Sequence, residues 1–205
     1  MSEQLSPEDH LTMPDLADPD LAEPDLAEPD LTDPDLTDPG PTGWGPAVTS
    51  GRFRSAMRHL PTSVVIAAGM AGDRPIGMLL GSFTSVSLEP LLVGFLGDHG
   101  SKTLRHLLDL DLWTFSVLAD DDTITPGAFC GPLHDRFTEV KWSTSPLGTP
   151  VIDNSVLAIH ARKHSTVRAG DHDLVLAEVL DITDPHPFRR PLVFAEGRMT
   201  GLAPR

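Results

Sequence analysis

The chain has 205 residues, of which 40% are hydrophobic and 22% are charged, a composition typical of a globular protein with room for one ordinary domain. Its formal charge of −15 is unevenly placed, because residues 1–50 contain thirteen Asp and Glu and no Lys or Arg, whereas residues 51–205 are close to neutral. Without a basic surface the chain is not expected to bind nucleic acid, and its one cysteine, Cys130, excludes an internal disulfide.

The N-terminus predicts neither secretion nor membrane insertion. Its first residues, MSEQLSPEDHL, lack the basic start and the apolar core of a signal peptide. No apolar run approaches the roughly 18 residues that a membrane-spanning helix needs. We therefore expect a cytoplasmic protein without a membrane partner.

The acidity belongs to a pentad repeat between Pro14 and Asp38, which reads PDLAD, PDLAE, PDLAE, PDLTD and PDLTD. A proline at every fifth position denies a helix its backbone donors, and one leucine per pentad offers too little apolar surface to offset ordering. We predict a disordered acidic tail over 1–48 and a folded domain over 49–205. The tail either solvates the protein or docks on a basic partner protein.

The first predicted element of the domain is a helix, because Phe53, Ala56, Met57 and Leu60 lie at helical spacing and Pro61 ends the run. A second helix is predicted for SKTLRHLLDL with Ser101 as its N-cap, and a short irregular or one-turn helical segment for TPGAFCGPLHDRF. About seven strands separated by turns are predicted from the stretches TSVVIAAGM, GMLLGSFTSVSLEP, LLVGFLG, LWTFSVLA, VLAIHARKHSTVRAG, HDLVLAEVLDI and PLVFAEGRMTGL. Few crossover helices favour a mainly β fold, a closed antiparallel barrel rather than a parallel sheet.

Two stretches indicate a ligand. GMLLGSFTSVSLEP carries four hydroxyls within an otherwise apolar strand, and buried hydroxyls need partners. GDHGSKTL places a lysine and two hydroxyls at a helix start, which suits a phosphate, although an ordinary capped helix has the same pattern. Together they are what a flavin mononucleotide needs. The common nucleotide motifs G-x-G-x-x-G and the phosphate loop are absent from the sequence.

The other candidate residues favour packing. His160 and His164 share a strand face but lie roughly 13 Å apart at about 3.3 Å per residue, too far for one metal ion, so no metal site is predicted. Cys130 has neither a second cysteine nor a flanking base and is expected to pack. Trp113 and Trp142 are assigned to core or dimer contacts rather than to ligand stacking.

The stretches SFTSVSLEPLLV, GSKTL, AFCGPLHDRF and AGDHDLVLAEV resemble, in this order, the flavin reductase family with an FMN-binding split β-barrel. The likeness runs from about Phe53 to Leu202 and leaves out the acidic tail. It implies a split antiparallel barrel and a homodimer in which NADH or NADPH delivers hydride to FMN or FAD. It also implies that reduced flavin leaves to serve a partner flavin-dependent monooxygenase.

The resemblance also assigns site residues. It places the isoalloxazine ring against Leu79, Leu80, Gly81 and Ser82, and the phosphate at Ser101, Lys102 and Thr103. It puts Phe129 and Arg136 beside the bound cofactors. It gives His172 a catalytic position near the flavin ring and the incoming nicotinamide, whereas the residues alone also allow a histidine satisfied within a turn.

The chain departs from the family pattern at Leu79, Leu80 and Gly81, where the family has small hydroxyl or amide residues before Ser-Phe. Each lost hydrogen bond costs roughly 0.5–1.5 kcal/mol of flavin affinity unless backbone groups replace it. The alternative is a specialised split-barrel protein that is not a reductase and holds a flavin or another planar ligand in a biosynthetic pathway.

Overall fold

The computed structural model describes residues 47–202, which contain three helices and twelve strands. The helices are α1 (Ser50–Met57), α2 (Lys102–Leu108) and α3 (Thr125–Cys130). The strands are β1 (Thr62–Ser63), β2 (Val65–Ala71), β3 (Arg74–Leu80), β4 (Thr84–Leu88), β5 (Leu91–Asp98), β6 (Leu112–Val117), β7 (Trp142–Thr144), β8 (Pro150–Ile152), β9 (Leu157–Ala169), β10 (His172–Ile182), β11 (Leu192–Ala195) and β12 (Arg198–Gly201). The acidic repeat, and with it the predicted boundary of the tail, lies outside the described residues.

Seven strands form one antiparallel sheet in the order β3-β2-β6-β9-β10-β5-β4. Val65 and Leu80 from one end of this sheet share a buried core with Val93 and Phe95 from the other end, so the sheet curves around that core. The fold is therefore the predicted antiparallel split barrel. The prediction of a closed barrel is wrong in one respect, because the edge strands β3 and β4 are joined by the chain and not by a ladder of backbone hydrogen bonds.

The run Val64–Ala68 is buried on both faces of β2, which explains why it is continuously apolar. Val65 and Ala67 face the barrel interior, where they meet Phe115 and Trp113. Val64, Ile66 and Ala68 face a second core outside the barrel. This outer core includes Phe129 of α3 and Ile152 of β8. The segment that carries α3, β7 and β8 is thereby packed against the sheet.

The stretch Gly77–Pro90, expected to be a single strand, is two strands at opposite edges of the sheet. The chain leaves β3 at Leu80, passes through Gly81–Phe83 and enters β4 at Thr84. The Ser82 hydroxyl holds this β3–β4 link to β5, because it accepts from the Leu96 amide at 2.9 Å and donates to the Leu96 carbonyl at 3.1 Å. One of the four hydroxyls therefore ties strands together.

Helix α1 forms where the apolar spacing predicted it but ends at Met57, so Leu60 follows it in a turn; the Thr49 side chain accepts from the Arg52 amide as its N-cap. Its apolar stripe does not pack into either core, since Phe53 and Leu60 are each 57% exposed and Met57 is 45% exposed. The predicted count of about seven strands is too low, because three of the predicted stretches each contain two strands and the short strands β7 and β8 were not predicted. None of the helices described is long and apolar enough to cross a membrane.

Candidate functional site

The C-terminal end of β5 brings together three of the stretches singled out in the sequence. Ser82 is hydrogen-bonded to Leu96, two residues before Asp98 ends the strand. His172, the first residue of β10, pairs with Asp98 across the ladder. The chain then turns through Gly100 into the N-cap of α2, Ser101. The predicted ring-contacting, catalytic and phosphate segments are therefore neighbours.

Arg136 forms the centre of a polar cluster beside β3. Its guanidinium donates to the Gly131 carbonyl at 3.0 Å, to the Gly77 carbonyl at 3.0 Å and to the Thr103 hydroxyl at 3.1 Å. These bonds connect α2, β3 and the segment after α3. The structure thus brings together Arg136 and Thr103, two residues that were assigned to the cofactor from separate stretches.

The charge of Arg136 is not neutralised by a carboxylate within the part of the chain that is described, since its three hydrogen bonds go to uncharged oxygens. Burial lowers the pKa of its guanidinium from the usual value, because the charged form loses hydration. A half-buried cation that faces a cavity gains from an anionic ligand. The residues here fit a phosphate.

The cavity beside Arg136 has a volume of about 390 Å³ and is lined by Gly100, Ser101, Lys102, Thr103, His106 and Arg136. The Ser101 side chain accepts from the Leu104 amide at 3.1 Å, as expected for the N-cap of α2. Lys102 is exposed at the first turn of this helix, whereas Thr103 is buried. The predicted phosphate residues therefore line one cavity.

Phe129 is placed behind the cavity rather than on its surface. It is 3% exposed and packs in the outer core. A Cβ at Gly77 would lie 2.9 Å from the Phe129 ring and 3.1 Å from that of Phe137, so glycine is required for this close approach. Phe129 supports β3 and the Gly77 carbonyl that binds Arg136. The sequence pattern did not indicate the part that Gly77 plays.

His172 lies in the hairpin between β9 and β10, with its side chain 40% exposed. Its Nδ1 is 2.8 Å from Asp171 Oδ1. This hydrogen bond is the main cause that lowers the pKa of Asp171, so the carboxylate stays ionised and only accepts. Nδ1 consequently carries the proton, and Nε2 is the nitrogen that His172 can offer to a ligand.

A second histidine, His99, lies beside this hairpin and was not singled out from the sequence. Its Nε2 is 2.8 Å from Asp173 Oδ1, and its backbone amide donates to the Asp171 carbonyl at 3.2 Å. The loop before α2 is thereby held to the hairpin that carries His172. The sequence signal was present, since GDHG and GDHD both place a histidine after Gly-Asp.

Leu79, Leu80 and Gly81 offer no side-chain hydrogen bonds, as the sequence indicated. Leu80 is 3% exposed in the barrel core, Leu79 is half-buried and Gly81 is exposed. Among the strands of residues 47–202, β3 pairs only with β2, so on its other side alternate backbone amides and carbonyls point away from the ladder. Only the backbone of this stretch can hydrogen-bond a planar ligand.

The remaining candidates lie elsewhere. His160 is buried, with its Nδ1 3.0 Å from the Thr114 hydroxyl, and no group of His, Cys, Asp or Glu among residues 47–202 could hold a metal ion. Cys130, expected to pack, is exposed. Trp113 is in the core as predicted, whereas Trp142 is half-buried and lines a groove that the sequence did not reveal.

The chain is similar to known proteins in both sequence and structure. The model of the family described as flavin reductase like domain matches residues 57–203. The curated protein named flavin-dependent monooxygenase, reductase subunit HsaB, of Rhodococcus jostii is 30% identical over 158 residues, which are 77% of this chain and 80% of that protein. The NADH:FMN oxidoreductase of Rhodococcus erythropolis is 27% identical and covers 74% of this chain and 81% of its own length.

Among solved structures, the NADH:FAD oxidoreductase SgcE6 of Streptomyces globisporus, in complex with NAD and FAD fragments, superimposes with a TM-score of 0.70. It is 30% identical, and the match covers 75% of this chain and 93% of that chain. Relatives of similar identity are thus named for FMN in one case and for FAD in another.

Proposed function

Because the chain belongs to the flavin reductase like domain family, we propose that it is an NAD(P)H-dependent flavin reductase that passes hydride from a nicotinamide nucleotide to FMN or FAD. The observation that carries the proposal is the cavity at Arg136, where a cation that has no carboxylate partner among residues 47–202 meets Thr103 beside β3. When both molecules are bound, NAD(P)H donates the hydride and the flavin accepts it.

In this proposal Arg136, Lys102 and the hydroxyls of Ser101 and Thr103 hold the flavin phosphate. Arg136 supplies the charge from inside the cavity, and Lys102 supplies it from the exposed rim. Charge-assisted hydrogen bonds to phosphate are the strongest of the available contacts. The phosphate therefore fixes the position of the ligand along β3.

The backbone of Leu79–Gly81 and the link residue Ser82 hold the flavin ring. Backbone groups on the open side of β3 replace the missing side-chain partners, and the Ser82 hydroxyl, already bonded to Leu96, keeps one lone pair for the ring. Few ring contacts favour a weakly held flavin that exchanges with solution. Such exchange suits a protein that delivers reduced flavin to another enzyme.

His172 orients the reacting pair in this proposal. Its Nδ1 is held by Asp171, which leaves Nε2 to donate or accept a hydrogen bond at the ring or at the nicotinamide amide. Hydride transfer needs little acid–base chemistry from the protein, so the contribution of His172 is to hold the two rings in register and to reduce access by water.

The direct test is oxidation of NADH and of NADPH by the purified full chain, with FMN, with FAD and without flavin. Flavin-dependent turnover far above the reaction without protein supports the reductase. A protein that binds flavin and oxidises neither nucleotide contradicts it. That result favours the alternative of a split barrel that holds a flavin for another purpose, an alternative that rests on Leu79, Leu80 and Gly81.

We further infer that the reduced flavin serves a monooxygenase. The support is the name of the Rhodococcus jostii relative, a monooxygenase reductase subunit. The expected result is that gel filtration yields a colourless protein, and that the protein with NADH and catalytic flavin sustains a flavin-dependent monooxygenase across a dialysis membrane. A yellow protein that supports the oxygenase only on direct contact contradicts release of free flavin.

A homodimer is also part of the proposal. Its support is the exposed apolar patch of α1 and the turn after it, Phe53, Met57 and Leu60, which needs a cover that residues 47–202 do not supply. Light scattering after size exclusion measures the mass directly. We expect twice the chain mass of 22.1 kDa for the full chain and a lower mass for Phe53→Asp. A monomeric full chain contradicts the dimer.

The acidic repeat lies outside this proposed chemistry. We propose that the folded domain starts near residue 49, so deletion of residues 1–45 leaves flavin reduction unchanged. If the repeat solvates the protein, the truncated chain precipitates at lower concentration. If it docks on a basic partner, the truncated chain loses that association at low salt while its solubility stays the same.

A further inference from the structure

A groove continues from the phosphate cavity along β3. Its volume is about 620 Å³, within the range of small-molecule sites, and its walls include Arg74, Ile76, Phe137 and Trp142. The groove shares His106, Leu133 and His134 with the cavity that contains Arg136. The two spaces therefore adjoin at these three residues, next to the place where a ligand held at Arg136 would end.

The order of these features along β3 matches a dinucleotide. The proposed ring contacts lie at Leu79–Gly81, the Gly77 carbonyl binds Arg136 in the middle, and Arg74 and Ile76 line the groove at the start of the strand. At about 3.3 Å per residue, Gly81 is roughly 13 Å from Gly77, and Gly77 is roughly 10 Å from Arg74. A ligand along the strand thus meets a ring site, then a phosphate site, then the groove.

The groove has the side chains that a purine nucleotide needs. Phe137 and Trp142 are half-buried, and their rings meet edge to face with centroids 5.9 Å apart and an interplanar angle of 79°. Both side chains line the groove, and aromatic rings are the groups on which a base stacks. Arg74 is exposed at the rim and has no ion-pair partner among the described residues. It is placed to meet a second phosphate.

We propose that this groove binds the adenosine monophosphate half of FAD, so that the chain prefers FAD to FMN. The inference rests on the proposed flavin site, because the phosphate at Arg136 fixes where the adenosine half begins. Family membership does not decide the question, since relatives are named for either flavin. The proposal also changes the assignment of Trp142, which was predicted to be a core or dimer contact, to ligand stacking.

An adenosine monophosphate unit occurs in NADH as well, so the experiment has to separate the two sources. FAD continues covalently from the phosphate at Arg136 into the adjoining groove. In the proposed function NADH enters beside the flavin ring, next to His172, and is a separate molecule from the one whose phosphate Arg136 holds. A groove that serves FAD therefore changes FAD affinity when altered and leaves the Michaelis constant for NADH unchanged.

The test is equilibrium binding of FAD, FMN and ADP to the full chain by calorimetry, with NADH kinetics as a separate arm. We expect FAD to bind at least tenfold more tightly than FMN, and ADP to compete with FAD. Arg74→Ala is expected to weaken FAD binding about fivefold and Trp142→Ala about tenfold, both with FMN affinity unchanged. Arg105→Ala removes an exposed arginine of α2 that does not line the groove and serves as the matched control.

Trp142 also packs beside the outer core, so its variant needs a folding check, for which Trp142→Phe retains an aromatic ring. Arg74 is exposed and its removal leaves both cores intact. Equal affinity for FAD and FMN overturns the proposal while the reductase stands. An increased NADH Michaelis constant with unchanged FAD binding also overturns it. If neither flavin binds, the proposed function itself fails.

Discussion

Two polar clusters of this protein use similar side chains and differ in what completes them. One is sealed inside the fold: Thr114 is hydrogen-bonded to Thr149 and to His160, and Thr149 is hydrogen-bonded to Ser145 at 2.8 Å. All four residues are at most 8% exposed. The other is the cluster of Arg136 and Thr103, which lines a cavity open to solvent.

The difference lies in charge and access rather than in residue type. In the sealed cluster every hydroxyl has a partner of the chain itself, and burial lowers the pKa of His160, so the cluster is neutral. In the open cluster the hydroxyl of Thr103 is bonded to a cation whose charge no carboxylate of the described chain balances. A neutral, closed cluster contributes to stability, whereas the charged, open cluster is the one that we propose a ligand completes.

Substitution of Arg136 is expected to have the largest effect, because its charge is what distinguishes the open cluster from the sealed one. Arg136→Ala is expected to weaken FMN binding about 100-fold, since a hydrogen bond to a charged group contributes roughly 1.5–3 kcal/mol. Riboflavin, which has the ring and no phosphate, is expected to bind the variant and the unaltered chain alike. Fluorescence titration with both ligands measures the two affinities.

Arg136→Lys is the matched control for this change. Lysine keeps the charge and loses the simultaneous bonds to Gly77, Gly131 and Thr103, so an intermediate FMN affinity is expected. If Arg136→Ala weakens riboflavin binding as much as FMN binding, Arg136 acts by holding β3 in place and the distinction between the two clusters fails.

The sealed cluster is tested by Thr149→Val, which removes the hydroxyl that bonds to both Thr114 and Ser145. Two buried hydroxyls lose a partner, so the free energy of unfolding is expected to fall by about 2 kcal/mol. Urea unfolding followed by fluorescence measures it. FMN affinity is expected to stay unchanged, and a parallel loss of FMN binding would show that the two clusters are coupled.

His172 belongs to the open region and is held by a carboxylate, so its removal should affect rate more than affinity. His172→Ala is expected to slow hydride transfer about tenfold, on the order of 1.4 kcal/mol in the barrier, with flavin affinity changed less than twofold. Stopped-flow measurement of flavin reduction separates the two quantities. An unchanged rate would reduce His172 to a turn residue satisfied by Asp171.

The smallest expected effect is a pH dependence of stability that originates in the sealed cluster. Burial lowers the pKa of His160 below the usual value of 6.5, and the carboxylate of Asp181 on β10 opposes this only in part. As the pH falls below about 6.5, His160 is protonated in the unfolded chain before it is protonated in the folded one. The stability that neutral His160 contributes is therefore fully present above that pH and is lost as the pH falls through the pKa of His160 in the folded protein.

Unfolding midpoints in urea between pH 7.5 and pH 5 measure this effect, with His160→Gln as the comparison. The unaltered chain should lose more stability on acidification than the variant. The FMN affinity of both proteins should show the same pH dependence, because His160 does not line the Arg136 cavity. Equal losses of stability in both proteins would mean that His160 does not titrate in this range.

Much of the fold could be predicted from the sequence because local patterns determine it. The N-cap Ser101, both longer helices and the long strands β9 and β10 follow from spacing that is visible within ten residues. The β3–β4 link could not be predicted, since nothing local shows that Gly81–Phe83 leads from one edge of the sheet to the other. That separation depends on the five strands between those edges.

The candidate site was also predictable from the sequence only in part. Ser101, Thr103 and Arg136 were predicted through stretches that resemble a family, and the structure places them around one cavity. The groove lined by Arg74 and Trp142 was not predicted, because only the packing of the segment after α3 on the sheet brings these residues together. The part that Gly77 plays was equally invisible, since the requirement for glycine comes from the rings of Phe129 and Phe137.

The β3–β4 link also has a consequence for local motion. Where the β3–β4 link meets β5, the Leu96 amide is held by the Ser82 hydroxyl and not by a ladder of neighbouring bonds. A single side-chain bond opens independently of the sheet, so hydrogen exchange at Leu96 reports the breathing of the barrel at this one place. A flavin lying on Ser82 would slow that exchange, and the Leu96 amide thus becomes a built-in reporter of occupancy within the protein.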